Sequence, residues 1–181
     1  MFDIKNKKLN SERLNIRKEI EQEYQKRIRI IADNIKCSAN FITKRQILKN
    51  LFDWWNENIQ YDYNILKQPD GGNNAISTIY YDYKGEKDIM HCGEKYAPIL
   101  LGKGVCTSYS EAIKDICDLI NIECKVVDAK DDNVLSAFKC HKHAWDEITI
   151  DGEVLTLDLD PHFLTFMGRR RTTSVFKIKE K

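Results

Sequence analysis

The first clear pattern in the chain is a stripe of apolar residues at helical spacing between residues 11 and 36. Steps of three and four residues place these side chains on one face, and Arg, Lys, Glu and Gln crowd the other faces. We therefore predict a long helix that packs by this stripe, either on the rest of the chain or on a partner. The stripe consists of Ile16, Ile20, Tyr24, Ile28, Ile31 and Ile35.

A second helix is predicted to begin at Thr43. Thr43 and Gln46 have the spacing of a capping box, and Ile42 and Ile47 have that of a hydrophobic staple. The pair Trp54-Trp55 is expected in the core rather than on a ligand-binding surface. The helical stripe continues through Leu48, Leu51, Phe52, Trp55 and Ile59.

The stretch from 61 to 92 has the least regular pattern of apolar and polar residues in the chain. Gly71-Gly72-Asn73-Asn74 is a turn signal. Tyr80-Tyr81-Asp82-Tyr83 is interpreted as either a short strand or an ordered loop, and in both cases as a candidate wall of a cleft formed with the segment that follows.

A third helix is predicted to begin at Cys106 or just after it, followed by a strand over residues 122–127. The polar loop at 128–133 contains three aspartates, but their spacing does not match an EF-hand. The buried stripe of the helix is predicted to be Tyr109, Ala112, Ile113, Ile116, Cys117 and Ile120.

Asp151-Gly152 predicts a two-residue hairpin turn. If Ile150 pairs with Glu153, His143 faces Asp160 and Trp145 faces Asp158. Alternation along the strands then gives an apolar face and a second face that carries the histidine and both carboxylates. The apolar face consists of Ala144, Ile148, Ile150, Leu155, Leu157 and Leu159.

Composition changes this picture little. The chain has 181 residues and a formal net charge of +1, so we expect no nucleic-acid partner. It shows no signal-peptide pattern and no membrane-spanning run, so we expect a cytoplasmic protein without membrane association.

Its six cysteines are then expected to be reduced, and none forms a C-x-x-C pair. Arg169-Arg170-Arg171 is interpreted as a solvated turn or a docking site for an acidic partner.

The candidate chemistry begins with Cys106, which follows the glycine-punctuated loop Gly102-Lys103-Gly104 at a predicted helix start. A helix N-terminus favours the thiolate form. His143 can serve as the base for this thiol, and a carboxylate on the neighbouring strand can fix the imidazole tautomer. The hairpin admits both Asp158, which is diagonal, and Asp160, which is directly opposite. No metal or cofactor is expected, although Cys140, His141 and His143 form one weak candidate metal cluster.

The motifs Gly104-Val105-Cys106-x-x-Tyr109 and His143-Ala144-Trp145, followed by Asp158, resemble the transglutaminase-like superfamily of papain-like thiol enzymes. Trp55 to Tyr63 is weakly similar to a segment that precedes the catalytic loop in that family. The resemblance covers about residues 45–160. It implies an α+β fold with the thiol helix packed on an antiparallel sheet, Cys106 as nucleophile, His143 as base and Asp158 as the orienting acid.

Two departures from the family pattern affect the cleft rim rather than these three residues. Asp146 follows His-Ala-Trp where many relatives have Asn, and Asp160-Pro161-His162 stands where many have Thr-Trp. We expect oxyanion donors from the backbone N–H of Cys106 and from Tyr96, with Tyr109 and Trp145 lining the cleft.

These observations predict a helical extension at 1–40, a catalytic domain at 41–165 and a basic tail or strand at 166–181. The predicted activity is acyl hydrolysis or transfer on peptide or side-chain amide bonds of a protein or peptide substrate. The alternative is a non-catalytic interaction module that retains the fold.

Overall fold

The computed structural model describes residues 2–37, 43–64, 80–129 and 143–160, and the side chains of all of these except 2–10, 80 and 86–88. The helices are α1 (Phe2–Lys36), α2 (Lys44–Asn58), α3 (Tyr96–Leu101) and α4 (Cys106–Leu119). The strands are β1 (Gln60–Tyr61), β2 (Tyr80–Tyr83), β3 (Glu86–His91), β4 (Lys103–Gly104), β5 (Glu123–Ala129), β6 (His143–Ile150) and β7 (Glu153–Leu157).

Helix α1 is longer than the stripe predicted, because it begins at Phe2. The stripe packs on the rest of the chain: its members from Ile20 to Ile35 are buried, and Ile16 is half-buried against Ile20 and its neighbours. The Tyr24 hydroxyl donates a hydrogen bond of 3.0 Å to Asp115 on α4. Arg17 pairs with Glu94 beside α3. Apolar burial and polar contacts therefore both fix α1 to α3 and α4.

Helix α2 begins as predicted at Thr43, whose side chain accepts a hydrogen bond of 3.2 Å from the backbone N–H of Gln46. The Gln46 amide bonds Asn50 instead of returning to the cap, so it forms a different contact from that of a capping box. Trp55 is fully buried, whereas Trp54 is half-buried at the edge of the core.

The centre of the fold is an antiparallel sheet in the order β5-β6-β7, with α4 packed on it. Every predicted residue of the α4 stripe is buried. These side chains join Ile148, Ile150, Leu155 and Leu157 from the sheet in one core. The mixed α+β class is therefore confirmed. A separate antiparallel pair, β2 with β3, shows that the tyrosine-rich segment at 80–83 forms a strand.

The β6-β7 hairpin has the predicted register, with Ile150 opposite Glu153. Asp151 and Gly152 both have positive φ, 54° and 80°, as a two-residue turn with the twist of the strands requires.

The pairing that a continuous hairpin would give, with His143 opposite Asp160 and Trp145 opposite Asp158, does not form, because the ladder ends where Asp146 pairs with Leu157. The physical reason lies in Asp158, whose side chain accepts a hydrogen bond of 3.0 Å from the backbone N–H of Asp160. Such a local turn replaces the strand ladder.

Several predicted features lie outside the described residues: Ile42, the turn at 71–74, most of the polar loop at 128–133, Cys140 and His141, and the segment 166–181. Within the described part of the chain, no helix combines the length and apolarity needed to cross a membrane.

Candidate active site

The loop that leads to Cys106 is held by a short parallel pairing. Strand β1 pairs with β4, so that Tyr61 lies beside Gly104, and the backbone N–H of Asp62 donates to the Gly104 carbonyl at 2.8 Å. A Cβ on Gly104 would lie 2.5 Å from Ser108 Oγ and 2.8 Å from Pro98 Cγ. Only glycine fits there, because real Cβ contacts are not that close.

Ser108 fixes the start of α4. The backbone N–H of Val105 donates to Ser108 Oγ at 2.9 Å, and the Ser108 hydroxyl donates back to the Val105 carbonyl at 3.0 Å. Ser108 is fully buried. These reciprocal bonds set Cys106 as the first residue of α4, with its thiol at the positive end of the helix dipole.

His143 connects the thiol to a carboxylate. Its Nε2 lies 2.8 Å from Asp158 Oδ2, and its side chain is buried. The imidazole is also hydrogen-bonded to Cys106. Since Nε2 faces Asp158, Nδ1 is the nitrogen left for the thiol. The structure thus brings Cys106, His143 and Asp158 together.

The contacts of the imidazole decide its protonation. Burial alone lowers the pKa of His143, but the hydrogen bonds to Asp158 and to Cys106 outweigh it and raise the pKa to about 10. The arrangement therefore favours an imidazolium at neutral pH.

Asp160 occupies a different position from Asp158. Its Oδ2 lies 3.9 Å from His143 Nδ1, on the thiol side of the ring. The donor atoms of Cys106, His143 and Asp160 all lie within 4.8 Å of one another, and all three residues are buried. The hairpin thus supplies carboxylates on both sides of the imidazole.

Two predicted cleft residues lie near these groups. The Trp145 ring is tilted at 32° to that of His143, with centroids 5.9 Å apart, and Trp145 remains half-buried. Tyr109 is buried one turn beyond Cys106, edge-on to Trp55 and Tyr61 at 5.0 and 5.7 Å. Burial, together with nearby Asp160, raises the pKa of Tyr109. Trp145 therefore flanks the imidazole, and Tyr109 lies in the core near Asp160.

Tyr96, expected as an oxyanion donor, is positioned elsewhere. Its hydroxyl bonds Glu21 at 2.7 Å, and its ring packs edge-on against Tyr24. Tyr24 bonds Asp115, which is nine residues from Cys106 on α4, or roughly 13 Å along the axis. The contacts of Tyr96 thus join α3 to α1, and we do not include it in the proposed site.

The amino-acid sequence matches the family described as "Transglutaminase-like domain" over residues 26–176. The chain belongs to this family. A search of solved structures found a crystal structure of a TGase with a TM-score of 0.48 and 16% identity, covering 75% of this chain and 30% of that one. The chain thus spans less than a third of the length of that protein. No curated protein showed significant similarity.

The other described cysteines have different surroundings from those of Cys106. Burial, with nearby Asp62, raises the pKa of Cys92 to about 12. A hydrogen bond to Cys117 and burial raise the pKa of Cys124. Cys37 is exposed immediately after α1. Cys106, in contrast, is hydrogen-bonded to the His143 imidazole.

Sequence reasoning placed Asp146 at the cleft rim and missed Asp62, but both carboxyl groups are buried. Asp146 lies on the face of β6 predicted as apolar and accepts a hydrogen bond of 3.4 Å from Cys124. Its burial and the neighbouring Cys124 raise its pKa to about 10, so the carboxyl is protonated at neutral pH. Asp62 is 2% exposed beside the Cys106 loop. The two-residue period could have revealed Asp146, because it shares the parity of Ala144 and Ile148.

Proposed function

We propose that this chain is a cysteine-nucleophile acyl hydrolase or acyltransferase that acts on peptide or side-chain amide bonds. The observation that carries the proposal is the continuous contact from Cys106 through His143 to Asp158, with the thiol at a helix N-terminus. Family membership supports the same use of these residues.

In the proposed reaction, the Cys106 thiolate attacks the amide carbonyl carbon and forms a tetrahedral oxyanion. The backbone N–H of Cys106 is one donor to this oxyanion, since the first amides of a helix have no acceptor within the helix. The C–N bond then breaks, and His143 gives its proton to the leaving amine. A thioester on Cys106 remains.

The nucleophile that attacks the thioester decides whether the protein is a hydrolase or a transferase. Water attack, with His143 taking a proton, releases a carboxylic acid and restores the thiol; attack by an amine forms a new amide. We favour hydrolysis, because water is always present. Asp158 holds the imidazole with Nδ1 toward sulfur during both half-reactions.

The test is a peptide library incubated with the protein, with products and acyl adducts followed by mass spectrometry. We expect a thioester adduct on Cys106 and hydrolysed or deamidated products, both lost in Cys106→Ala. An added primary amine would divert the products if the protein is a transferase. Absence of both adduct and product across the library would favour the non-catalytic interaction module instead.

A further inference from the structure

The cluster on the thiol side of His143 has the composition and spacing of an incomplete tetrahedral metal site. It offers one sulfur, one imidazole nitrogen and one carboxylate oxygen, from Cys106, His143 and Asp160. These are the three ligand types that zinc takes from proteins. Asp158 contacts the other ring nitrogen of His143, so Asp160 and Asp158 approach different sides of the imidazole.

Distances within the cluster fit a shared central atom. Zinc binds sulfur at about 2.3 Å and nitrogen or oxygen at about 2.0–2.2 Å, so tetrahedral ligand atoms are separated by roughly 3.3–3.6 Å. His143 Nδ1 and Asp160 Oδ2 are 3.9 Å apart, longer than a hydrogen bond between them. The three donor atoms lie within 4.8 Å of one another. Small side-chain rotations would therefore bring them to ligand distances.

The surroundings already supply the outer contacts that a zinc-bound histidine requires. Metal-binding histidines usually bond a carboxylate through the second ring nitrogen, which fixes the tautomer. Asp158 makes this contact at 2.8 Å, and its other oxygen accepts from the backbone N–H of Asp160. One aspartate thus orients both the imidazole and the segment that carries the third ligand.

Charge and access also favour a cation at this point. Two carboxylates lie on either side of the imidazole beside the Cys106 sulfur, and a divalent ion bound there would offset the charge of the carboxylates. Cys106 retains 9% exposure, against 3% for His143 and 6% for Asp160, so it is the most exposed of the three residues. Three protein ligands leave the fourth position for water.

We propose that Cys106, His143 and Asp160 form a reversible zinc-binding site that blocks the nucleophile. Zinc would replace the proton shared by sulfur and imidazole and would hold the thiolate as a ligand. The bound thiolate could then neither attack a carbonyl nor react with an alkylating agent. This site is distinct from the catalytic contacts in its use of Asp160.

Protection of Cys106 from iodoacetamide at graded free Zn²⁺ tests the proposal, with the modified residue mapped by mass spectrometry. Each variant is compared with its own metal-free rate. We expect saturable protection in the wild-type chain and a midpoint shifted to at least about tenfold more zinc in Asp160→Asn. Asp151→Asn is the matched control, because it removes an exposed carboxylate from a turn position with positive φ that Asn adopts readily. Unchanged protection in Asp160→Asn, or no protection in the wild type, would overturn the proposal.

Cobalt substitution gives a second readout that does not depend on labelling. Co²⁺ should produce a thiolate charge-transfer band in the wild-type chain that disappears in Cys106→Ser; a band that persists in this variant would contradict the assignment. Neither measurement requires catalysis. A chain that binds zinc in this way but forms no acyl adduct would refute only the proposed function, and the reverse result would refute only the metal site.

Discussion

Asp158 lies one residue beyond the last paired residue of β7, and it contacts His143 through Nε2 at 2.8 Å. Asp160, two residues further, lies 3.9 Å from the opposite ring nitrogen. A short turn thus places two carboxylates at opposite ends of one imidazole, where a continued strand would have placed Asp160 opposite His143. The two aspartates are therefore expected to act differently.

Asp158→Asn should lower turnover by roughly two to four orders of magnitude while leaving the fold intact. The reason is that an amide can stabilise the wrong imidazole tautomer, with Nδ1 protonated and unable to accept from sulfur. Asp160→Asn should reduce turnover much less. Turnover numbers with a peptide substrate, together with circular dichroism, measure this difference. The reverse order would identify Asp160 as the orienting acid.

Cys106 should be alkylated faster than any other described thiol at about pH 6.5, because the helix dipole and the imidazolium both favour its thiolate. Iodoacetamide labelling with mass mapping measures the rates. Exposed Cys37 is the internal reference for accessibility, and Cys92 is the reference for a buried thiol. Faster labelling of either one, with Cys106 inert, would refute the nucleophile assignment.

His143→Ala should abolish activity and slow this alkylation, since the mutation removes the group that stabilises the thiolate. His91→Ala is the control among the described histidines, because His91 lies at the end of β3 beside Glu94. His141 lies outside the described residues, and we expect His141→Ala to preserve both properties. Equal losses for His141→Ala and His143→Ala would indicate a metal-binding or structural role shared by the two histidines.

Gly104→Ala should misplace the nucleophile. The added Cβ would meet Ser108 and Pro98 inside a packed loop, and such overpacking costs about 1–3 kcal/mol. We expect a lower free energy of unfolding in a urea titration and slower labelling of Cys106. Val154→Ala on the exposed face of β7 is the control and should alter neither strongly. Normal labelling in Gly104→Ala would show that the loop tolerates the shift.

Asp146 should make stability fall as pH rises. Its carboxyl has a pKa of about 10 when folded, against an ordinary value of 3.8, so between these values the folded state holds a proton that the unfolded state has released. Stability therefore decreases across this window and levels off above it. Asp146→Asn should reduce this slope, because the amide resembles the protonated acid and does not titrate. Thermal unfolding from pH 5 to pH 10 measures it, and equal slopes for both chains would contradict the assignment.

Local patterns in the sequence determined much of the fold. Apolar spacing identified the buried stripes of α1 and α4, and the Asp151-Gly152 turn fixed the register of β6 with β7. These features depend on neighbours a few residues away, so periodicity and turn chemistry suffice to predict them. The motifs around Cys106 and His143 likewise identified the residues that meet at the site.

Only the tertiary structure decided where the β6-β7 ladder ends and which residues distant in sequence contact one another. The ladder ends at Leu157 because Asp158 bonds the backbone of Asp160, and this contact sets which carboxylate reaches Nε2. Tyr96 bonds Glu21, which is 75 residues away on α1, instead of serving the site. The pKa of Asp146 is raised because its carboxyl is buried beside Cys124 of β5. In each case the partner is distant in sequence, or the contact depends on where a strand ends. The periodicity of the sequence predicts neither of these.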